Sequence, residues 1–200
     1  MKKLVAIFGI NGAGKTTLVK NLLMSDYVSE SDGDFLLDCF NFFEKRNKYG
    51  TYTVSKGGNY VAVGGYSSKC GGADSIKTVE NYFAMINFLA EKYPASTLCV
   101  EGVLQKAIDD LINCYEDLQK KGYEPCLVKL ETSLEQAVER VKNRNGQMPD
   151  IECIRAKVLN TGRLFKKLQD CGKFNCYVIY TNNKTIEQVY EEFEKIIKIY

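Results

Sequence analysis

Along the chain, short and mainly apolar runs alternate with longer stretches in which apolar residues recur every three or four positions. The runs fall at 4–8, 35–40, 97–102, 125–130 and 174–180. Each has the length of a strand, and apolar continuity of this kind is what a strand buried on both faces needs. Between them lie helical stripes: Leu18, Val19, Leu22 and Leu23; Ile76, Val79, Phe83, Ile86 and Ala90; Leu104, Ile108, Leu111, Tyr115 and Leu118. Two more follow, Ile151, Ile154, Val158, Phe165 and Leu168, then Ile186, Val189, Phe193 and Ile197. A spacing of three and four residues puts each set on one helix face.

Start signals agree with this division. Thr132 with Glu135, Ser133 with Gln136, and Thr185 with Gln188 all fit a capping box, Asp150 opens the long helix, and Gly122 ends the one before the fourth strand. From 49 to 66 the texture differs, with two β-rich runs around Lys56-Gly57-Gly58-Asn59, which reads as a hairpin inserted beyond a minimal core. Strands alternating with helices imply an α/β fold, a parallel sheet covered on both faces. The length of 200 residues suits a single domain spanning 1–200.

Composition narrows the class. With 45% apolar and 26% charged residues the chain reads as globular, and no apolar run reaches the length of a bilayer span, so no membrane partner and a cytoplasmic location are expected. Its eight cysteines include no C-x-x-C pair and read as reduced thiols. Histidine is absent, which leaves carboxylates, lysine or water for any general base. A net charge of +2 gives no global pull on nucleic acid, so local patches must make that case.

The candidate chemistry begins directly after the first strand. Gly9-Ile10-Asn11-Gly12-Ala13-Gly14-Lys15-Thr16-Thr17 fits G-x-x-x-x-G-K-[ST], the phosphate-binding P-loop, here in its required place between a strand and an amphipathic helix. Glycines let the backbone curl round a phosphate so that successive N–H groups and the helix N-terminus face negative charge. Lys15 is expected to reach the β- and γ-phosphates of ATP, and Thr16 to hold Mg²⁺. Glu101 ends the third strand in a Walker-B manner, an acid after apolar residues, and is expected to hold the same Mg²⁺ or to position a nucleophile. Arg140 and Arg144 lie one helical turn apart, where guanidinium forks match phosphate oxygens, although an exposed pair bonded to Glu139 or Gln136 is the alternative. Asp74, after Gly71-Gly72, is read either as a helix N-cap or as a carboxylate that orients an acceptor. Lys45, Arg46 and Lys48, interleaved with Tyr49, Tyr52 and Tyr60, suit phosphate contact with base stacking. The long helix carries Arg155, Arg163, Lys166 and Lys167 as a basic run, either a solvated face or a polynucleotide track.

These pieces together resemble the P-loop kinases of the nucleoside and nucleotide kinase group. The resemblance covers nearly the whole chain and rests on Gly9 to Thr17 and on Leu130-Glu-Thr-Ser-Leu-Glu135 through Arg140-Val-Lys-Asn-Arg144, similar to the start of that group's lid, here about 140–150. It implies the P-loop NTPase three-layer sandwich, a five-stranded parallel sheet in the order 2-3-1-4-5. It also implies a carboxylate at the end of the second strand that takes the acceptor's proton, the place of Asp38; a strand-end residue making a local turn bond is the other reading. The group's acid-Arg pair after the third strand is Glu101-Gly102 here, and Asn145 to Pro149 is short for a lid. Gly64-Gly-Tyr66, Cys70-Gly-Gly-Ala-Asp74-Ser-Ile76 and Val100-Glu101-Gly102 look more like small bacteriophage P-loop kinases, among them the 5-hydroxymethyluracil DNA kinases. The implied activity is transfer of the γ-phosphoryl of ATP to a nucleotide or DNA acceptor, with a nucleoside or nucleoside monophosphate kinase as the alternative. A nucleotide-dependent ATPase or switch is the alternative of another class. A guanine-specific switch is poorly matched, since Asn183-Lys184 is followed by Thr185-Ile186 rather than by x-Asp.

Overall fold

The computed structural model describes residues 2–24, 54–57, 59–64, 66, 78–102 and 108–198. Its strands are β1 (Lys2–Phe8), β2 (Val54–Gly57), β3 (Tyr60–Val63), β4 (Thr97–Glu101), β5 (Tyr123–Glu131) and β6 (Asn175–Tyr180). The helices are α1 (Lys15–Met24), α2 (Val79–Lys92), α3 (Ile108–Lys120), α4 (Leu134–Asn145), α5 (Ile151–Asp170) and α6 (Ile186–Lys198). All six strands form one sheet in the order β2-β3-β4-β1-β5-β6.

Every pairing except the β2–β3 hairpin is parallel. The parallel strands alone, numbered along the chain, therefore run 2-3-1-4-5, as expected. The hairpin forms around its turn, and its second arm is not an appendage: β3 lies parallel to β4, with Val61 beside Leu98. It thus holds the second parallel position, for which the sequence offered 35–40, a run outside the described residues. Burial explains why a short β-branched arm takes that place, since Val61, Ala62 and Val63 are all buried against the helices.

The sheet separates two apolar layers. On one side Leu4, Ala6 and Phe8 meet α2, α3 and the C-terminal half of α5; on the other Val5 and Ile7 meet α1, α4 and α6. Period-two alternation along β1 sends successive side chains to opposite layers, which is why every position from Leu4 to Phe8 is apolar. The stripes hold with local rotation. Tyr82, Met85, Ile86 and Leu89 form the buried line of α2, whereas Ile151 and Ile186, read as inward, are exposed. Each of the latter two is the first residue of its helix, where a position at the matching angle has no layer above it.

The caps resolve the remaining choices. Ser133, rather than Thr132, caps α4, its Oγ accepting from the Gln136 amide at 3.2 Å. Asp150 accepts from the Cys153 amide at 3.0 Å. Thr185 and Gln188 form a reciprocal box, with Thr185 N donating to Gln188 Oε1 at 2.9 Å and Gln188 N to Thr185 Oγ1 at 3.3 Å. Among the described residues no helix is long and apolar enough to cross a membrane.

Candidate active site

Parallel strands deliver their C-terminal ends to one edge of the sheet, and the loops there are the usual place for a ligand. The register sets Glu101 beside Ile7, so the acid at the end of β4 stands next to the point where β1 gives way to the glycine-rich loop. A cavity of about 840 Å³ opens at this edge. All of Gly9 to Leu18 lines it, together with Glu101, Gly102, Arg140 and Arg144. The structure thus gathers the glycine-rich loop, Glu101, Arg140 and Arg144 into one hollow, while Tyr60 and the basic run Arg155, Arg163, Lys166 and Lys167 do not line it; Asp38, Asp74, Lys45, Arg46, Lys48, Tyr49 and Tyr52 lie outside the described residues.

The curl of the loop depends on missing side chains. Gly12 has φ +85°, and a Cβ there would stand 2.6 Å from the Ala137 carbonyl oxygen, inside the backbone of α4. Gly9 has φ +150°, with a Cβ placed 2.9 Å from the Leu130 carbonyl oxygen. Only glycine satisfies both the dihedral and the close approach. Ala13 is buried beneath the turn, its amide bonding the Ile10 carbonyl at 3.2 Å, while Asn11 and Thr17 are exposed on the rim. The first helical amides of α1 therefore face the hollow, which suits an anion.

Lys15 folds back over the loop, donating to the carbonyls of Gly9 at 2.9 Å and Ile10 at 3.1 Å. Its ammonium is thereby held at the mouth of the turn. Thr16 Oγ1 donates to Glu101 Oε1 at 2.9 Å, and Glu101 is only 3% exposed. A buried carboxylate is costly unless it is hydrogen-bonded or coordinates a cation. Here a hydroxyl and a carboxylate, both hard oxygen donors, meet at the first turn of α1. They fit Mg²⁺, which uses one or two protein oxygens and draws its remaining ligands from water and phosphate. No group of three or more metal-ligating side chains occurs among the described residues, so an all-protein cage is absent there.

Arg140 makes contacts that its sequence did not disclose. Nη1 donates to the Gly12 carbonyl and to Thr181 Oγ1, each at 3.2 Å, and Nη2 to the Thr181 carbonyl at 2.9 Å. It fastens the tip of the loop to the end of β6, and burial pulls its pKa below the ordinary value against a smaller opposing push from Glu139. Arg144, one turn on, donates to Asn145 Oδ1 at 3.1 Å and also lines the hollow. The basic run on α5 is partly paired along its own helix, Arg155 with Glu152 at 2.6 Å and Lys166 with Asp170 at 3.2 Å.

Lining residues that the sequence reading did not single out as site candidates include Lys157, Thr161, Thr181 and Lys184. Lys184 pairs with Glu192 at 2.6 Å, and Thr181 is buried with its amide on the Glu131 carbonyl at 2.8 Å. The signal for Lys157 and Thr161 was present as a period-four stripe ending at Phe165, yet a lysine in a basic run gives no hint that it points inward. Five cations and one carboxylate line the hollow among the described residues, so it is strongly positive.

No protein-family model matches the chain. A curated relative, the 5-hmdU DNA kinase of Bacillus phage SP10, is 30% identical over 176 residues, covering 84% of this chain and 25% of the relative. Among solved structures, a gluconokinase from Sinorhizobium meliloti 1021 superposes with a TM-score of 0.49 at 10% identity, over 98% of this chain and 93% of that one. A deoxyadenosine kinase from M. mycoides with bound dCTP gives 0.48 at 15% identity, over 98% of this chain and 100% of that one. The chain spans about a quarter of the length of the curated relative it matches.

Proposed function

We propose that the chain is an ATP- and Mg²⁺-dependent phosphotransferase whose acceptor is the 5-hydroxymethyl group of 5-hydroxymethyluracil in DNA. The observation that carries the kinase reading is the Thr16–Glu101 contact at 2.9 Å, a paired hydroxyl and carboxylate at the first turn of the helix that follows a glycine-rich anion hollow. The similarity to the phage protein, named a 5-hmdU DNA kinase, supports the choice of acceptor. A cytoplasmic setting, the host's for a phage protein, goes with ATP as the donor.

In this reading the amides of Gly9 to Thr17 and the Lys15 ammonium seat the triphosphate, and Thr16 with Glu101 hold the metal. When bound, Mg²⁺ neutralises charge on the phosphate oxygens and aligns them. Arg140 keeps the loop in shape while it offsets charge together with Arg144. Asp38 or Asp74 orients the acceptor hydroxyl and takes its proton as the new oxygen–phosphorus bond forms; the bond from the terminal phosphorus to the bridging oxygen breaks and ADP leaves. Most of the acceleration comes from positioning and electrostatics. A base in duplex DNA must first leave the stack, and the basic and aromatic residue types Lys45, Arg46, Lys48, Tyr49 and Tyr52 suit holding the strand while it does.

Incubation with ATP labelled at the γ-phosphate and a panel of acceptors tests both levels of the proposal. Label is expected in DNA containing 5-hydroxymethyluracil and absent from plain DNA, nucleosides and monophosphates. Label recovered only as free phosphate would overturn the kinase reading, and label in mononucleotides but not DNA would overturn the acceptor.

A further inference from the structure

Among the described residues the proposed roles leave two cations of the hollow unassigned, Lys157 and Lys184, and of these Lys157 is the one without an acidic partner. It is half-buried, it lines the cavity, and it makes no hydrogen bond or ion pair with another described residue. Its neighbours in the cavity differ in this respect. Lys15 and Arg140 reach backbone carbonyls of the loop, and Lys184 is paired with Glu192. Holding a long cationic side chain half out of water with nothing to bind has an entropic and a solvation cost, which an incoming anion would offset.

Its direction of approach follows from α5. The ring of Phe165 meets Phe8 edge-on at 5.6 Å, beneath the end of β1 and on the layer opposite α1. Thr161, 2% exposed, lies one turn back toward the helix start, and Lys157 one turn further. The three form a single stripe that climbs from the core under Phe8 to the wall of the cavity, so packing at its foot aims its head. A phosphate chain seated on the loop would share the hollow with Lys157. In the phosphotransferase reading the loop amides and Lys15 hold the β- and γ-phosphates from the loop, which leaves the outer oxygens of the terminal phosphate for a further cation of the cavity wall.

We propose that Lys157 binds the terminal phosphate of the donor nucleotide, so that the protein distinguishes the triphosphate from the diphosphate it releases. This rests on the phosphotransferase reading above and specifies one of its contacts.

The test compares the affinities of the wild-type chain, Lys157→Gln and Lys157→Arg for Mg·ADP and for the magnesium complex of the non-hydrolysable β,γ-imido analogue of ATP, by calorimetry. Lys157→Gln is expected to weaken the triphosphate analogue roughly tenfold or more, the usual worth of a hydrogen bond to a charged group, and to leave ADP unchanged. Lys157→Arg, which keeps the charge, is expected to recover most of the difference. Equal weakening of both nucleotides, or no change in either, would overturn the assignment while the wild-type protein still bound nucleotide. Failure of the wild type to bind either one would overturn the phosphotransferase reading itself, and this contact with it. Circular dichroism of the variants separates a lost contact from a lost fold.

Discussion

Glu101 shows most plainly how a single side chain can be tied to chemistry by burial alone. A carboxylate 3% exposed at the end of a central strand has a place only if something compensates it, and the Thr16 hydroxyl supplies one partner. Removing the charge with Glu101→Gln is expected to lower turnover about 10–100-fold, the usual effect of disturbing the shell around a metal, with little change in melting temperature. Unchanged turnover in a steady-state assay would reassign the residue to structure. Gly12 makes the opposite kind of demand, since its role is to be absent. Gly12→Ala combines a positive φ with a Cβ 2.6 Å from the Ala137 oxygen, so it is expected to cost about 2 kcal/mol or more in denaturant unfolding and to abolish nucleotide binding. Thiol accessibility gives an independent check on the core. Burial pushes the Cys99 thiol up to about 12, whereas Cys153 is exposed. At pH 8 iodoacetamide should label Cys153 well before Cys99, as read by peptide mass spectrometry; labelling in the reverse order would contradict the layer arrangement.

Among the elements, α5 does the most to join core and site. Its C-terminal half packs Leu164, Phe165 and Leu168 into one layer while its N-terminal half lines the cavity. Asp150 fixes where it starts, so Asp150→Ala is expected to cost about 1 kcal/mol by chemical denaturation and Asp150→Ser to recover most of that. No loss in the alanine variant would show that the cap is not needed. The same helix marks the boundary of what the sequence discloses. Apolar runs and caps revealed β1, β4, β5 and β6 and the helices between them, because burial on two faces and unsatisfied helix ends leave local signatures, whereas the strand order came from the family resemblance and the run at 35–40 lies outside the described residues. That the glycine loop and Glu101 stand at one hollow was legible for a similar reason, since the P-loop pattern sets residue types at fixed places between a strand and a helix. Lys157 was not, because its inward aim comes from Phe165 meeting Phe8 across the molecule, and no local spacing encodes that. Arg140 was half legible: its place in the hollow followed from the sequence, but its bonds to Gly12 and Thr181 come from strand ends distant in sequence. The role of Tyr60–Val63 as an inner strand was likewise a matter of long-range pairing.

At the scale of the whole molecule, the parallel sheet brings the ends of β1, β4 and β6 to one edge, and the loop, Glu101 and Thr181 meet there as a consequence of topology. Central to the proposed function is the seating of a triphosphate by residues 9–17. A ligand that binds only the folded protein at one hundred times its dissociation constant adds about 2.7 kcal/mol of stability. For a chain of this size that corresponds to a rise of roughly 5–10 °C in melting temperature. Thermal unfolding of wild type and Lys15→Ala, with and without Mg·ATP, measures this directly. Equal melting temperatures are predicted without ligand, with a rise on adding Mg·ATP that the wild type shows and the variant lacks. Equal rises in both proteins, or none in the wild type, would contradict the claim.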